Sequence, residues 1–328
     1  MRGNSKCFQM DRFSAHMDRA WQLISKGDGV KALMAARQAL SIDADSPEVH
    51  NLLGCIYAMD GDFDEALLCY ERAMDLDDAY IDPLLNSAEL LIHAHDRTDE
   101  AIDLCRRARE LMGPEDDILE VKLLEIDALL AVGRAEEARE LLDGIALSKS
   151  MGSVHAMLVG RALFETGDFE KSRNFIDYAL MKDPLSADAW YCRGLLYREE
   201  GRRIDAVAAF KTVLESDTRR EDVPWLGQLK PYESLMKKAI AILDDDAREV
   251  LASAKIVVKP LPTTSQLLQE VDPRQAVWIE GIDLENRSFK CIWFFYRNLE
   301  HIGILPTEPE ETLAQVISEE VRYARRPF

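Results

Sequence analysis

Metal ligation and nucleophilic catalysis each need particular side chains at particular spacings, and this sequence supplies few of them. The six histidines are His16, His50, His93, His95, His155 and His301. No two stand four apart, the spacing that places a pair on one helix face within reach of one cation. His93 and His95 are two apart and point to different helix faces. The cysteines (Cys7, Cys55, Cys69, Cys105, Cys192 and Cys291) include no C-x-x-C pair. Their irregular spacing reads as reduced thiols filling core gaps, in the cytosol. There is no G-x-x-x-x-G-K-[ST] phosphate loop and no G-x-S-x-G nucleophile turn. Glu115-Asp116-Asp117 lacks the alternation and central glycine of a calcium loop. Asp244-Asp245-Asp246 reads as a helix start. The expectation is a chain with no catalytic residue, no bound metal and no cofactor.

Charge narrows the partners. Lys plus Arg number 40 and Asp plus Glu 60, a net charge of −20. Phosphate backbones and anionic membrane surfaces repel such a chain, so nucleic acid and membrane are not expected partners. The first residues lack the apolar core of a secretion signal, and no apolar run reaches membrane-spanning length. At 328 residues with 47% hydrophobic content, the chain needs two domains or one extended array.

Stepping through the apolar residues gives a period. Gly54 and Tyr57 stand three apart, Gly61 follows, and Ala66 precedes Tyr70 by four. The same order returns as Gly194, Tyr197, Gly201, Ala206 and Phe210, now with Trp190 four before Gly194. Ala32 to Ala66, Ala39 to Ala73, Gly160 to Gly194, Gly167 to Gly201 and Ser172 to Ala206 are each 34 residues. Two weaker copies carry Ala88, Leu91, Ala101, Cys105 and Ala108, and Gly133, Ala138 and Leu142. The first of them has one extra residue in its His93–Arg97 turn. Each period reads as two antiparallel helices. Small residues allow close approach, and the large ones (Tyr57, Tyr70, Tyr197, Phe210) fill space between adjacent repeats. Turns are marked at Gly27-Asp28-Gly29, Gly61-Asp62, Gly133, Gly167-Asp168 and Gly201.

The W-x3-G-x2-Y and A-x3-F order resembles the tetratricopeptide repeat. The resemblance implies a mainly α solenoid of about six repeats over residues 13–218, because one repeat cannot bury its apolar face alone. It also implies a groove lined by the first helix of each pair. By phase its positions are Trp21, Asn51, Cys55, Asp82, Glu89, Met157, Arg161, Tyr191 and Arg198. One subtype of the family grips a peptide carboxylate with Lys, Asn and Arg; the early positions here hold Met17 and Trp21, so that clamp is not expected. Residues 1–218 contain 25 basic and 42 acidic residues, against 15 and 18 in the remainder. The plain reading is a solvated outer face; the sharper one is selection of a basic protein or peptide partner.

After Thr218 the rhythm stops. Residues 1–12 read as an extension, 219–246 as a capping helix (Pro231–Leu243) and linker, and 247–328 as a small α+β domain. Lys255–Pro262, Ala276–Glu285 and Ser288–Asn298 have strand character, and a helix runs from about Glu308 to Tyr323. Alternation puts Trp293 and Phe295 on one strand face and Phe294 and Tyr296 on the other. Ile256-Val257-Val258, Pro262, Leu268, Asp272-Pro273, Gly281-Ile282, Tyr296, Asn298 and Leu299 occur in an order similar to that of the minimal zincin-like metallopeptidases. Those enzymes carry H-E-x-x-H on the closing helix. The matching positions here are Ser318, Glu319 and Arg322, so the resemblance implies a fold kept without its metal. The functional expectation is a non-catalytic interaction scaffold or adaptor. The alternatives are a divergent metallopeptidase, or an inhibitor or assembly factor of a partner enzyme.

Overall fold

The structure, a computed structural model, describes residues 2–93, 97–113, 118–283, 288–302 and 309–325. His95, the acidic run 115–117 and the expected start of the closing helix at 307–308 lie outside the described residues. The chain divides into two compact units, Met1–Phe175 and Ile176–Phe328.

Among the described residues twelve helices come first, in pairs: α1 (Arg2–Ile24) with α2 (Gly29–Leu40), α3 (Pro47–Asp60) with α4 (Phe63–Leu76), and α5 (Ile81–His93) with α6 (Thr98–Leu111). Then follow α7 (Ile118–Ala131) with α8 (Ala135–Asp143), α9 (Ser153–Glu165) with α10 (Phe169–Lys182), and α11 (Ala187–Glu199) with α12 (Arg203–Arg219). These match the six expected pairs. Helix starts follow local chemistry. The Ser46 side chain caps α3 by accepting from Val49 N–H, with Pro47 at the first helical position. Ser186 caps α11 in the same way. The five inter-helix turns named from sequence each hold a glycine in the left-handed region, Gly27, Gly61, Gly133, Gly167 and Gly201, with φ between 71° and 85°.

Inside a pair the small residue makes room for a ring. A Cβ on Gly54 would lie 2.3 Å from the Tyr70 ring, and one on Gly194 would lie 2.3 Å from Phe210. Each aromatic therefore sits over the glycine of its own repeat, rather than only filling the gap to the next. In the fifth pair the buried Ser172 hydroxyl instead donates to the Gly160 carbonyl at 2.6 Å.

The second unit continues from α11 and α12 through α13 (Tyr232–Ile242) and α14 (Asp245–Leu251) into β1 (Lys255–Lys259). A short helix α15 (Thr264–Leu267) precedes β2 (Val277–Asp283) and β3 (Ser288–Phe295), and α16 (Pro309–Arg325) closes the chain. Asp244 caps α14 by accepting from Ala247 N–H at 2.7 Å, as the acidic triplet suggested. The sheet order is β1-β3-β2, with β1 parallel and β2 antiparallel to β3. Its core joins Val277, Ile292 and Phe294 to Tyr232 and Met236 of α13 and to Leu313 and Ile317 of α16. This corrects the expectation for α13. Its apolar face serves the α+β core, while Leu261 and Leu267 cover Ala206, Phe210 and Leu214 of the last pair. On the opposite sheet face Trp293 stacks on Phe295 with centroids 6.4 Å apart and donates to Glu280 at 2.7 Å. Phe294 meets Tyr232 on the core side.

Candidate functional site: the inner face of the repeats

First helices of successive pairs present equivalent positions about 34 residues apart, so side chains on this face meet in ladders. Arg161 pairs with Asp127, 34 positions earlier, at 3.2 Å. His155 stands 3.7 Å from Glu120, an ion pair only when the imidazole is protonated. Asn86 donates to Asn51, 35 positions earlier, at 3.0 Å.

The expected groove residues fall into three groups. In the first pair Trp21 is exposed. In the second, Asn51 is only 2% exposed, and its amide is engaged by the Tyr80 hydroxyl (3.2 Å) and Asn86. Cys55, half-buried beside it, accepts from the Tyr70 hydroxyl at 3.6 Å, and burial pushes its thiol pKa up. The same surroundings push Tyr80 up to about 12, through burial first and then the neighbouring Asp82 carboxylate. These groups form a closed polar patch; Asp82 remains exposed at its edge.

Glu89 and Arg161 belong together. Both line a hollow of about 380 Å³ walled by Leu123, Leu124, Leu130 and Leu158, with Glu120, Asp127 and His155 among its polar groups. Arg161 is matched by two acids, Asp127 at 3.2 Å and Glu165 at 3.6 Å. Burial holds the Glu165 carboxyl above its ordinary value, against the pull of Arg161. Glu89 forms no ion pair with any residue whose side chain is described. The hollow therefore combines leucine walls with more carboxylates than cations. Met157, on the same helix as Arg161, is 9% exposed and packs inward. Glu120 and Asp127 were not singled out from sequence. The signal was available in the 34-residue step from Asp127 to Arg161, but the fourth repeat lacks the first-helix glycine and the aromatic of the stronger copies.

Tyr191 and Arg198, on α11, face residues of their own unit. The Tyr191 hydroxyl donates to Asp272 at 3.1 Å, and Arg198 stands 3.7 Å from the same carboxylate.

On α16, Ser318 is half-buried, and Glu319 and Arg322 are exposed. The inward carboxylate is the next one, Glu320, whose pKa burial pushes up to about 7. Among the described residues no three His, Cys, Asp or Glu side chains gather into a possible metal site. None of the helices is long and apolar enough to cross a membrane, again among the described residues. Cys55, Cys69, Cys105, Cys192 and Cys291 are free thiols.

This is a tetratricopeptide-repeat fold. Residues 47–80 and 158–221 each match the tetratricopeptide repeat family. Among solved structures, PilW, a widely conserved type IV pilus biogenesis factor, is similar at 13% identity over 64% of this chain and 95% of its own, with TM-score 0.56. Pseudomonas aeruginosa PilF is similar at 17% identity over 63% of this chain and 92% of its own, with TM-score 0.53. A tetratricopeptide repeat protein of Parabacteroides merdae has 18% identity over 70% and 88%, with TM-score 0.50. At these identities the likeness is one of fold. No curated protein matches the sequence. The chain thus carries tetratricopeptide repeats in a helical solenoid, with a small mixed three-stranded sheet near its C-terminus; proteins with such repeats generally mediate protein–protein interactions.

Proposed function

We propose that this chain is a non-catalytic scaffold or adaptor that holds a protein partner in the hollow between α5, α7 and α9. The carrying observation is the combination of leucine walls with acidic groups that exceed the local cations. Glu89 and Glu120 face the hollow, while Arg161 is matched by Asp127 and Glu165. Such a surface favours a segment with an apolar side chain next to lysine or arginine. The apolar part leaves water, and the cation meets carboxylates across a partly dry rim. The volume suits one or two side chains. On this reading residues 13–218 are the recognition array, and the α+β part of the second unit, to which α13 belongs, bears Ser318, Glu319 and Arg322 without metal chemistry. The free thiols suit a reducing compartment such as the cytosol.

The test compares affinity capture from the native cell by the wild-type chain and by Glu89→Lys/Glu120→Lys. Glu136→Lys, on an exposed position of α8, serves as control. We expect the double reversal to weaken the partner at least tenfold, corresponding to about 1.4 kcal/mol, and the control to retain it. Equal capture by all three would place recognition elsewhere.

A further inference from the structure

The sixth pair is covered by a segment of the chain itself, which touches both of its helices. Residues 260–275 leave β1, pass through α15 against α12, and return to β2 past α11. Both ends of this strap are tied to two adjacent residues after β3. The Arg297 N–H donates to the Pro260 carbonyl at 3.1 Å. The Asn298 amide donates to the carbonyls of Pro273 (2.8 Å) and Gln275 (2.9 Å). A loop whose ends meet at one place can lift while both flanking strands stay paired.

The middle of the strap meets the repeat through the one-turn helix α15 and the turns that follow it. Leu267 is buried in the cluster with Phe210 and Leu214. The Asp272 carboxylate accepts from the Tyr191 hydroxyl and faces Arg198. Arg274 pairs with Asp188 at 2.5 Å and lies over the Tyr191 ring at 4.5 Å. Asp188, Tyr191 and Arg198 share one face of α11, at spacings of three and seven. The same pair contributes Arg203, which donates to the Leu268 carbonyl. The strap also holds features that its own sequence does not favour. Glu270 is the one non-glycine residue with positive φ among the described residues, at 67°. The Gln266 Nε2 is buried without a partner. A capping box between Thr263 and Gln266 shapes α15 locally, and contacts with the repeat hold the strap against it.

The geometry points to residues 261–274 being a ligand carried in cis. The covered surface of the sixth pair is a recognition site for a peptide that forms one helical turn, with a leucine in that turn five residues before an aspartate and an arginine two after it. The strap holds that site closed until such a segment of another protein replaces it. This site is separate from the hollow of the first unit and does not depend on it.

The test uses the full-length protein and a fluorescent synthetic peptide of residues Lys259 to Ala276. Asp272→Ala/Arg274→Ala in the protein weakens the strap and leaves α11 intact. We expect this variant to bind the peptide at least tenfold more tightly than wild type, and Arg198→Glu added to it to abolish binding. Equal binding by wild type and variant overturns the proposal, as does a concentration-dependent dimer formed by exchanged straps without peptide binding. Native-state hydrogen exchange of the unmodified protein tests the same idea without substitution. Amides of Gln266 to Gln269 should exchange at least a hundredfold faster than those of β3, by local opening. Equal rates would show that the strap leaves only when the unit unfolds, which makes it a permanent cover and overturns the proposal.

Discussion

Gly194 shows how one missing side chain sets the geometry of a repeat. The Phe210 ring occupies the space that a Cβ would need, 2.3 Å away. Gly194→Ala should therefore overpack the α11–α12 contact and cost about 1–3 kcal/mol. The measurement is the urea midpoint of the full chain; an unchanged midpoint would mean that the ring moves aside freely. Gly201 is a different case. A Cβ there meets nothing within 4 Å, and the constraint is its φ of 71°. Both glycines were legible from the 34-residue spacing, because the cause in each case lies within one repeat: a ring sixteen residues after Gly194, on the partner helix of the pair, or a turn that needs left-handed backbone. The engagement of Asn51 was not legible. Its partners Tyr80 and Asn86 lie 29 and 35 residues away, and nothing in its own neighbourhood announces them.

Among the elements, α13 is the one whose role changed between sequence and structure. Its amphipathic pattern says that one face is buried, but not against what. Met236 is fully buried, among the residues that pack against Ile292 and Phe294 of β3 and Leu313 of α16. Met236→Ala should cost about 2–5 kcal/mol through the cavity it leaves. Hydrogen exchange separates the two roles. Removal of a core side chain speeds exchange of β3 amides, whereas loss of a repeat cap would speed α11 and α12 and leave β3 as it was. The strands themselves were readable, since β-branched and aromatic runs bounded by turns occupy 255–259, 277–283 and 288–295. Their order was not. A parallel β1–β3 pair with β2 on the far edge of β3 depends on how the chain crosses over, which short strand patterns do not record.

For the molecule as a whole, charge is the property with the longest reach. Residues 1–218 hold 42 acidic and 25 basic residues, and the hollow near α7 repeats that excess at close range. Binding to a partner through this surface should weaken as salt rises from about 0.05 to 0.5 M, since the Debye length shrinks from roughly 14 Å to about 4 Å. Titration of the captured partner at several salt concentrations checks it, and a flat affinity would leave the leucine walls as the sole source of binding.

The sequence by itself determined the helix pairs, their number, the turns between them and the acidity of the array. All of these arise from composition or from contacts within a few dozen residues, where a period can be counted. Only the tertiary structure decided which groove positions remain open. Asn51 is closed by its neighbours, Glu89 and Arg161 share a hollow, and Tyr191 and Arg198 are covered by the strap that carries Asp272. Openness of a site is set by what else the chain brings to it. For Tyr191 that partner comes from 81 residues away, a separation at which spacing along the chain says nothing about distance in space.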